Sequence, residues 1–181
     1  MTAQASQRLQ VTSLFLLLGL GASCAKVEAD IPNAQVTQKA VSFPGVPGAA
    51  LAGEVSTTQT ITMSTDSLSW IKDLNSDVYA YQVEMQAVSG VADLGFIDLA
   101  LVSMSAGDGS VAPIEVVDYQ RPADYTPSPV LDAKTVSPIN VTSVLASPEV
   151  VLTLHIAGNL PEQPWAADIT LSLSGKVSYS F

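Results

Sequence analysis

The chain closes on a strict two-residue alternation. Ile169, Leu171, Leu173, Val177, Tyr179 and Phe181 share one parity, and Asp168, Thr170, Ser172, Ser174, Lys176, Ser178 and Ser180 share the other. Successive side chains of a strand point to opposite faces, so this pattern predicts a strand with one apolar face and one wet face. Such a strand must lay its apolar face against another layer, which confines the chain to sheet-on-sheet or sheet-on-helix architectures. Gly175 interrupts the alternation and marks a bulge or bend.

Similar stretches recur upstream, at about Val36–Phe43, Gly53–Met63, Val78–Val88, Phe96–Met104, Ala112–Tyr119, Ile139–Leu145 and Val150–Ala157. Turn formers punctuate them, among them Pro44-Gly45-Val46-Pro47-Gly48 and Gly107-Asp108-Gly109. Leu68, Ile71 and Leu74 recur every three residues behind Asp66, which predicts a short helix over 66–75 that plugs one end. Pro122, Pro127, Pro129 and Pro138 make residues 120–138 read as a long loop. About eight strands with these crossings predict an all-β fold, an antiparallel β-sandwich over residues 35–181.

Cys24 is the only cysteine, so no internal disulfide can staple the fold and the core must hold it together. The formal net charge is −10, spread singly rather than in runs. That balance argues against nucleic acid and anionic lipid surfaces, both of which need a basic patch.

The N-terminal segment has the three parts of an export signal. Residues up to Gln10 carry one basic side chain, Arg8; an apolar run ends in Leu14-Phe15-Leu16-Leu17-Leu18-Gly19-Leu20; and Gly21-Ala22-Ser23 supply small residues before Cys24. The run is shorter than the roughly 20 apolar residues of a membrane span. Small residues ahead of a lone Cys, after such a run, resemble the lipobox of bacterial lipoproteins. The resemblance covers this segment alone. It implies a signal peptide over 1–23, a mature N-terminus at Cys24 carrying palmitate-type acyl chains, and a tether over 24–34. It also implies anchoring in the cell envelope, at the outer rather than the inner membrane because Ala25 and not Asp follows the Cys. Two or three acyl chains, each buried CH₂ contributing about 0.8 kcal/mol, would hold the protein permanently.

Signals for chemistry are sparse. His155, the only histidine, sits mid-strand, and no Gly-x-Ser-x-Gly elbow accompanies it. One His and one Cys leave no nitrogen–sulfur metal site. Asp93, Asp98 and Asp108 read as turn formers rather than a calcium loop. Glu115 and Asp118 lie three apart, which places them on opposite faces of a regular strand. Trp165 follows Pro161 and Pro164 and reads, like Trp70, as a core or edge anchor. No cofactor is expected. The Pro-rich loop with Tyr119, Arg121 and Tyr125 is the candidate partner surface, because loops on a rigid scaffold carry recognition. The expected function is therefore a non-enzymatic binding, adhesion or structural module, with an envelope protein or glycan as partner. An envelope-polymer hydrolase with a dispersed site is the alternative. A small outer-membrane β-barrel is a third reading, since the alternation ending at Phe181 resembles the terminal strand of such barrels.

Overall fold

The computed structural model describes residues 26–48, 53–66 and 75–180. These residues form β1 (Lys26–Phe43), β2 (Val55–Ser64), β3 (Asn75–Ser89), β4 (Ile97–Ala106), β5 (Ile114–Gln120), β6 (Val130–Asn140), β7 (Glu149–Gly158) and β8 (Trp165–Ser180). One helical turn, α1 (Thr142–Leu145), joins β6 to β7. Cys24 and its leader, Trp70, most of the helix expected over 66–75, and Phe181 lie outside the described residues.

The strands build two four-stranded antiparallel sheets, ordered β1-β8-β3-β6 and β2-β7-β4-β5. The pairs β1/β8, β2/β7, β3/β6 and β4/β5 nest like one long hairpin rolled up on itself. This is the double Greek key of a jelly roll, a β-sandwich as the alternation predicts. It is two facing sheets, not one closed cylinder, and its apolar residues point between them.

Alternation fills the interior. Ile169, Leu171 and Leu173 of β8 face Leu152, Leu154 and Ile156 of β7 across the core, all essentially inaccessible to water. Burial of each such side chain contributes about 1.5–3 kcal/mol. The polar parity of β8 carries its own bonds: Thr170 Oγ1 meets Thr37 Oγ1 at 3.0 Å, and Gln35 Nε2 donates to the Oγ of Ser172, which is buried, at 3.3 Å.

Three stretches differ from the sequence reading. Residues 24–34, read as a tether, are paired from Lys26 onward, where Lys26 faces Ser180. The break suggested by Pro32 is a bulge: β1 passes Pro32 and Asn33 against Ser174 alone. A second bulge sets Lys39 and Ala40 against Asp168. Ala40 there adopts φ 49°, and its N–H, turned out of the ladder, donates to Asp168 Oδ1 at 2.8 Å. The irregularity expected at Gly175 thus falls on its neighbour β1, while β8 stays extended.

The second difference is β6. Residues 130–138, read as loop, are strand, because Pro138 sits on a sheet edge where its missing N–H costs nothing. There β6 passes Thr135–Pro138 against Tyr81 alone. The third is the strand expected over 139–145, which ends at Asn140. Asn140 Oδ1 accepts the Thr142 N–H at 3.0 Å, and the Val78 N–H donates to Thr142 Oγ1 at 2.8 Å. These bonds turn the chain into α1, which buries Val144 and Leu145.

Candidate functional site

Nested pairing collects four connections at one end of the sandwich: those between β1 and β2, β3 and β4, β5 and β6, and β7 and β8. Backbone bonds tie them to one another. Val46 N–H donates to the Pro161 carbonyl at 2.9 Å, Leu94 N–H to Ser128 at 2.9 Å, and Asn159 N–H to Phe96 at 2.9 Å. Beneath them lies Trp165, the first residue of β8 and only 3% exposed. Its ring stacks on Phe43 at 4.1 Å and 9°, and meets Phe96 edge-on at 5.1 Å. The anchor role read for Trp165 is what the structure shows. Gly90, at φ +80°, and Gly45 let the backbone pass close by, because a Cβ on either would lie within 2.5 Å of a carbonyl oxygen.

Arg121 leaves the end of β5 into this cluster. Its N–H donates to the Asp98 carbonyl at 2.8 Å, and its guanidinium pairs with the Asp98 carboxylate and donates to the Gly95 carbonyl. One side chain thereby joins the β3–β4 and β5–β6 connections. Asp93 Oδ1 accepts the Gly95 N–H at 2.8 Å and shapes the tight turn below. The Tyr125 ring packs beside this turn, 3.5 Å from where a Gly95 side chain would begin, an ordinary contact distance.

All three sequence-selected residues therefore meet. Tyr119, on β5, has its phenol pushed up by burial first, then by the neighbouring Tyr125 and the Asp98 carboxylate, with Arg121 opposing. The Tyr125 phenol oxygen is buried and has no hydrogen-bond partner among the described residues. Asp98 is the partner the sequence reading did not assign. It stands 23 positions before Arg121 in the chain, and only the β4–β5 pairing brings the two together.

An open groove of about 460 Å³ runs beside the pair, lined by Glu54, Asp98, Leu99, Gln120, Arg121 and Pro122. It offers carboxylate acceptors, an amide, and those guanidinium donors that Asp98 and Gly95 do not occupy. Acceptors outnumber the one cation, so the groove suits a hydroxyl-rich neutral ligand better than an anion.

The other candidates go elsewhere. His155 Nδ1 meets Thr58 Oγ1 at 3.1 Å on the outer face of the β2-β7-β4-β5 sheet. Asp108 accepts from the Ser110 N–H at 2.9 Å and hydroxyl at 2.6 Å, which closes the β4–β5 turn and holds its carboxyl below the usual range. Glu115 and Asp118 do not lie on opposite faces as the regular spacing predicts. Val116 is an extra residue bulged out of the ladder, so Glu115 opposes Ser103 while Asp118 opposes Leu101. The bulge restores one parity to both, and they line a cleft of about 150 Å³ with Lys134 and Ser137. Among the described residues no three His, Cys, Asp or Glu side chains group as a metal site.

No protein-family model and no curated protein matches the chain. Among solved structures it is similar to the decameric BFDV capsid protein, at TM-score 0.37 and 9% identity over 84% of this chain and 99% of that one. Desmodium yellow mottle tymovirus gives TM-score 0.34 and 9% identity over 94% and 97%. The infectious bursal disease virus Gx strain gives 0.34 and 16% over 92% and 41%.

Proposed function

We propose that this protein is a non-enzymatic binding module, held in a bacterial cell envelope by lipid on Cys24, that takes a neutral glycan of its surroundings in the groove beside Tyr119, Arg121 and Tyr125. The supporting observation is polarity along the sandwich. β1 begins at Lys26, two residues after Cys24, and ends at Phe43 under the loop cluster. A strand of 18 residues spans roughly 50–60 Å. An anchor at Cys24 would precede the Lys26 end of β1, and the groove, near the Phe43 end, would then be turned away from the membrane.

Two measurements test the two halves. Intact mass of protein from its native membrane, beside a Cys24→Ala control, should show cleavage before Cys24 and added acyl chains; an unlipidated mass removes the anchor. Calorimetric titration with purified neutral envelope polysaccharide should show saturable binding that Arg121→Gln abolishes. Binding that survives Arg121→Gln and Tyr125→Phe alike moves the ligand to another surface.

A further inference from the structure

The four sheet edges are not protected alike. An edge strand presents unpaired N–H and C=O groups, and natural proteins blunt it with bulges, proline or charge. β1 carries two bulges, Pro32 and Lys39. β6 carries the Thr135–Pro138 bulge, with Asp132 and Lys134 alongside. β5 is seven residues long, bulged at Val116 and charged at Glu115 and Asp118. β2 has none of these devices. It pairs with β7 in unbroken register from Val55↔Gly158 to Ser64↔Glu149, and its sequence, VSTTQTITMS, contains no charge, proline or glycine. Among the described residues it pairs with β7 alone.

We propose that β2 is a dimerisation edge, pairing antiparallel with β2 of a second copy about a two-fold axis so that the β2-β7-β4-β5 sheet continues into its mate. Two properties select a second copy. A chain of charge −10 repels its own kind, and β2 is the one edge where two copies meet without fixed charge along the strand. The strand is also self-complementary. To continue the sheet, outward residues must face outward ones. With Gln59 on the axis, Thr58 meets Thr60 of the mate and Ser56 meets Thr62; with Thr60 on the axis, Thr58 meets Thr62 and Ser56 meets Ser64. Every outward pair in either register is hydroxyl on hydroxyl, a favourable cross-strand match. The inward pairs are Gln59 with itself on the axis, Thr57 with Ile61 and Val55 with Met63 in the first register, and Gln59 with Ile61 and Thr57 with Met63 in the second. An isologous two-fold contact of this kind closes at two copies, uses up the β2 edge of both and leaves only the blunted edges β1, β5 and β6.

Sedimentation equilibrium of the Cys24→Ala protein is the test, because it removes lipid-driven association. The expected result is a concentration-dependent doubling of mass, with slowed amide exchange over 55–64 in the dimer. Thr58→Lys/Thr60→Lys should be monomeric, with unchanged circular dichroism, because lysines face each other in both registers. Thr58→Glu/Thr60→Glu should be monomeric as well, and an equimolar mixture of the two should recover the dimer. A wild-type monomer at all soluble concentrations overturns the proposal. So does a dimer that survives both double variants, which places the contact elsewhere, or a mixture that stays monomeric.

Discussion

The two ends of the sandwich are closed by different chemistry. At the loop end, aromatic rings and one guanidinium join four connections and leave a groove open beside them. At the far end, among the described residues, α1 and the Thr65 hydroxyl close over the core. Thr65 Oγ1 donates to the Ser147 and Pro148 carbonyls at 2.7 and 3.0 Å, the Thr65 N–H donates to Pro148 at 3.0 Å, and Val144 and Leu145 lie fully buried. One end is finished as surface and the other as core. Different residues also serve the two features of the loop end: Trp165 packs it, and Arg121 lines the groove.

The largest effect that separates the ends is Trp165→Ala. It empties the space between Phe43, Phe96 and Gly90, and the expected cost is about 3–5 kcal/mol, read as a lower urea midpoint at constant m-value. A cost under about 1 kcal/mol would mean that the stack is ornamental and that backbone bonds alone hold the loop end. At the far end, Thr65→Val keeps the shape and deletes the hydroxyl. The buried Ser147 carbonyl then loses its donor while Pro148 keeps the Thr65 N–H, so a loss of about 1–3 kcal/mol is expected by thermal or chemical unfolding. A neutral result would show that water reaches the seal.

Arg121→Met sharpens the contrast from the side of function. The guanidinium and its Asp98 partner are each about one-third exposed, at 32% and 30%. Pairs so open to solvent contribute about 0.2–1 kcal/mol, so unfolding should move little while groove binding is lost. A large drop in stability would instead make Arg121 a structural strut.

How far these features were legible depends on where their cause lies. The strand pattern of β7 and β8 is local, a matter of which residue follows which, and it reads directly. Trp165 reads equally well, since two prolines before an aromatic at a strand start leave few roles for it. The Pro-rich stretch reads as a loop with Tyr119, Arg121 and Tyr125 near it; the structure keeps the three close but turns 130–140 into strand, and Asp98 is invisible to the sequence because its proximity is created by strand pairing. Bulges were the systematic gap. Pro32-Asn33 read as the end of a tether, Thr135–Pro138 as loop, and Val116 as an ordinary strand residue that separated Glu115 from Asp118. A bulge is defined by the partner strand, and the partner is absent from local sequence. The same reasoning explains α1: Ile139–Leu145 is apolar enough for a strand, and the Thr142 N–H donated to Asn140 and the Val78 N–H donated to Thr142 decide against it.

The smallest expected effect concerns acid. Both Asp168 and Asp108 have carboxyls held below the ordinary value, Asp168 first by the Lys39 ammonium at 2.6 Å and then by the Ala40 N–H, and Asp108 by the hydroxyl and N–H of Ser110. A carboxyl whose folded pKa lies below its unfolded value of about 3.9 stabilises the fold above that pH, and the contribution fades as pH falls through the folded pKa. The two differ in what the unfolded chain retains. Asp168 reaches partners 128 and 129 positions away, which only folding supplies, whereas Asp108 bonds two residues ahead in a turn that an unfolded chain can form transiently. Linkage counts only the difference between states. Asp168→Asn should therefore flatten the acid limb of a melting-temperature profile more than Asp108→Asn, with each variant converging on wild type as pH falls through the folded pKa of the carboxyl it lacks. Equal flattening would show that the Ser110 turn forms only on folding, and that the far end draws on long-range order as much as the bulge of β1 does.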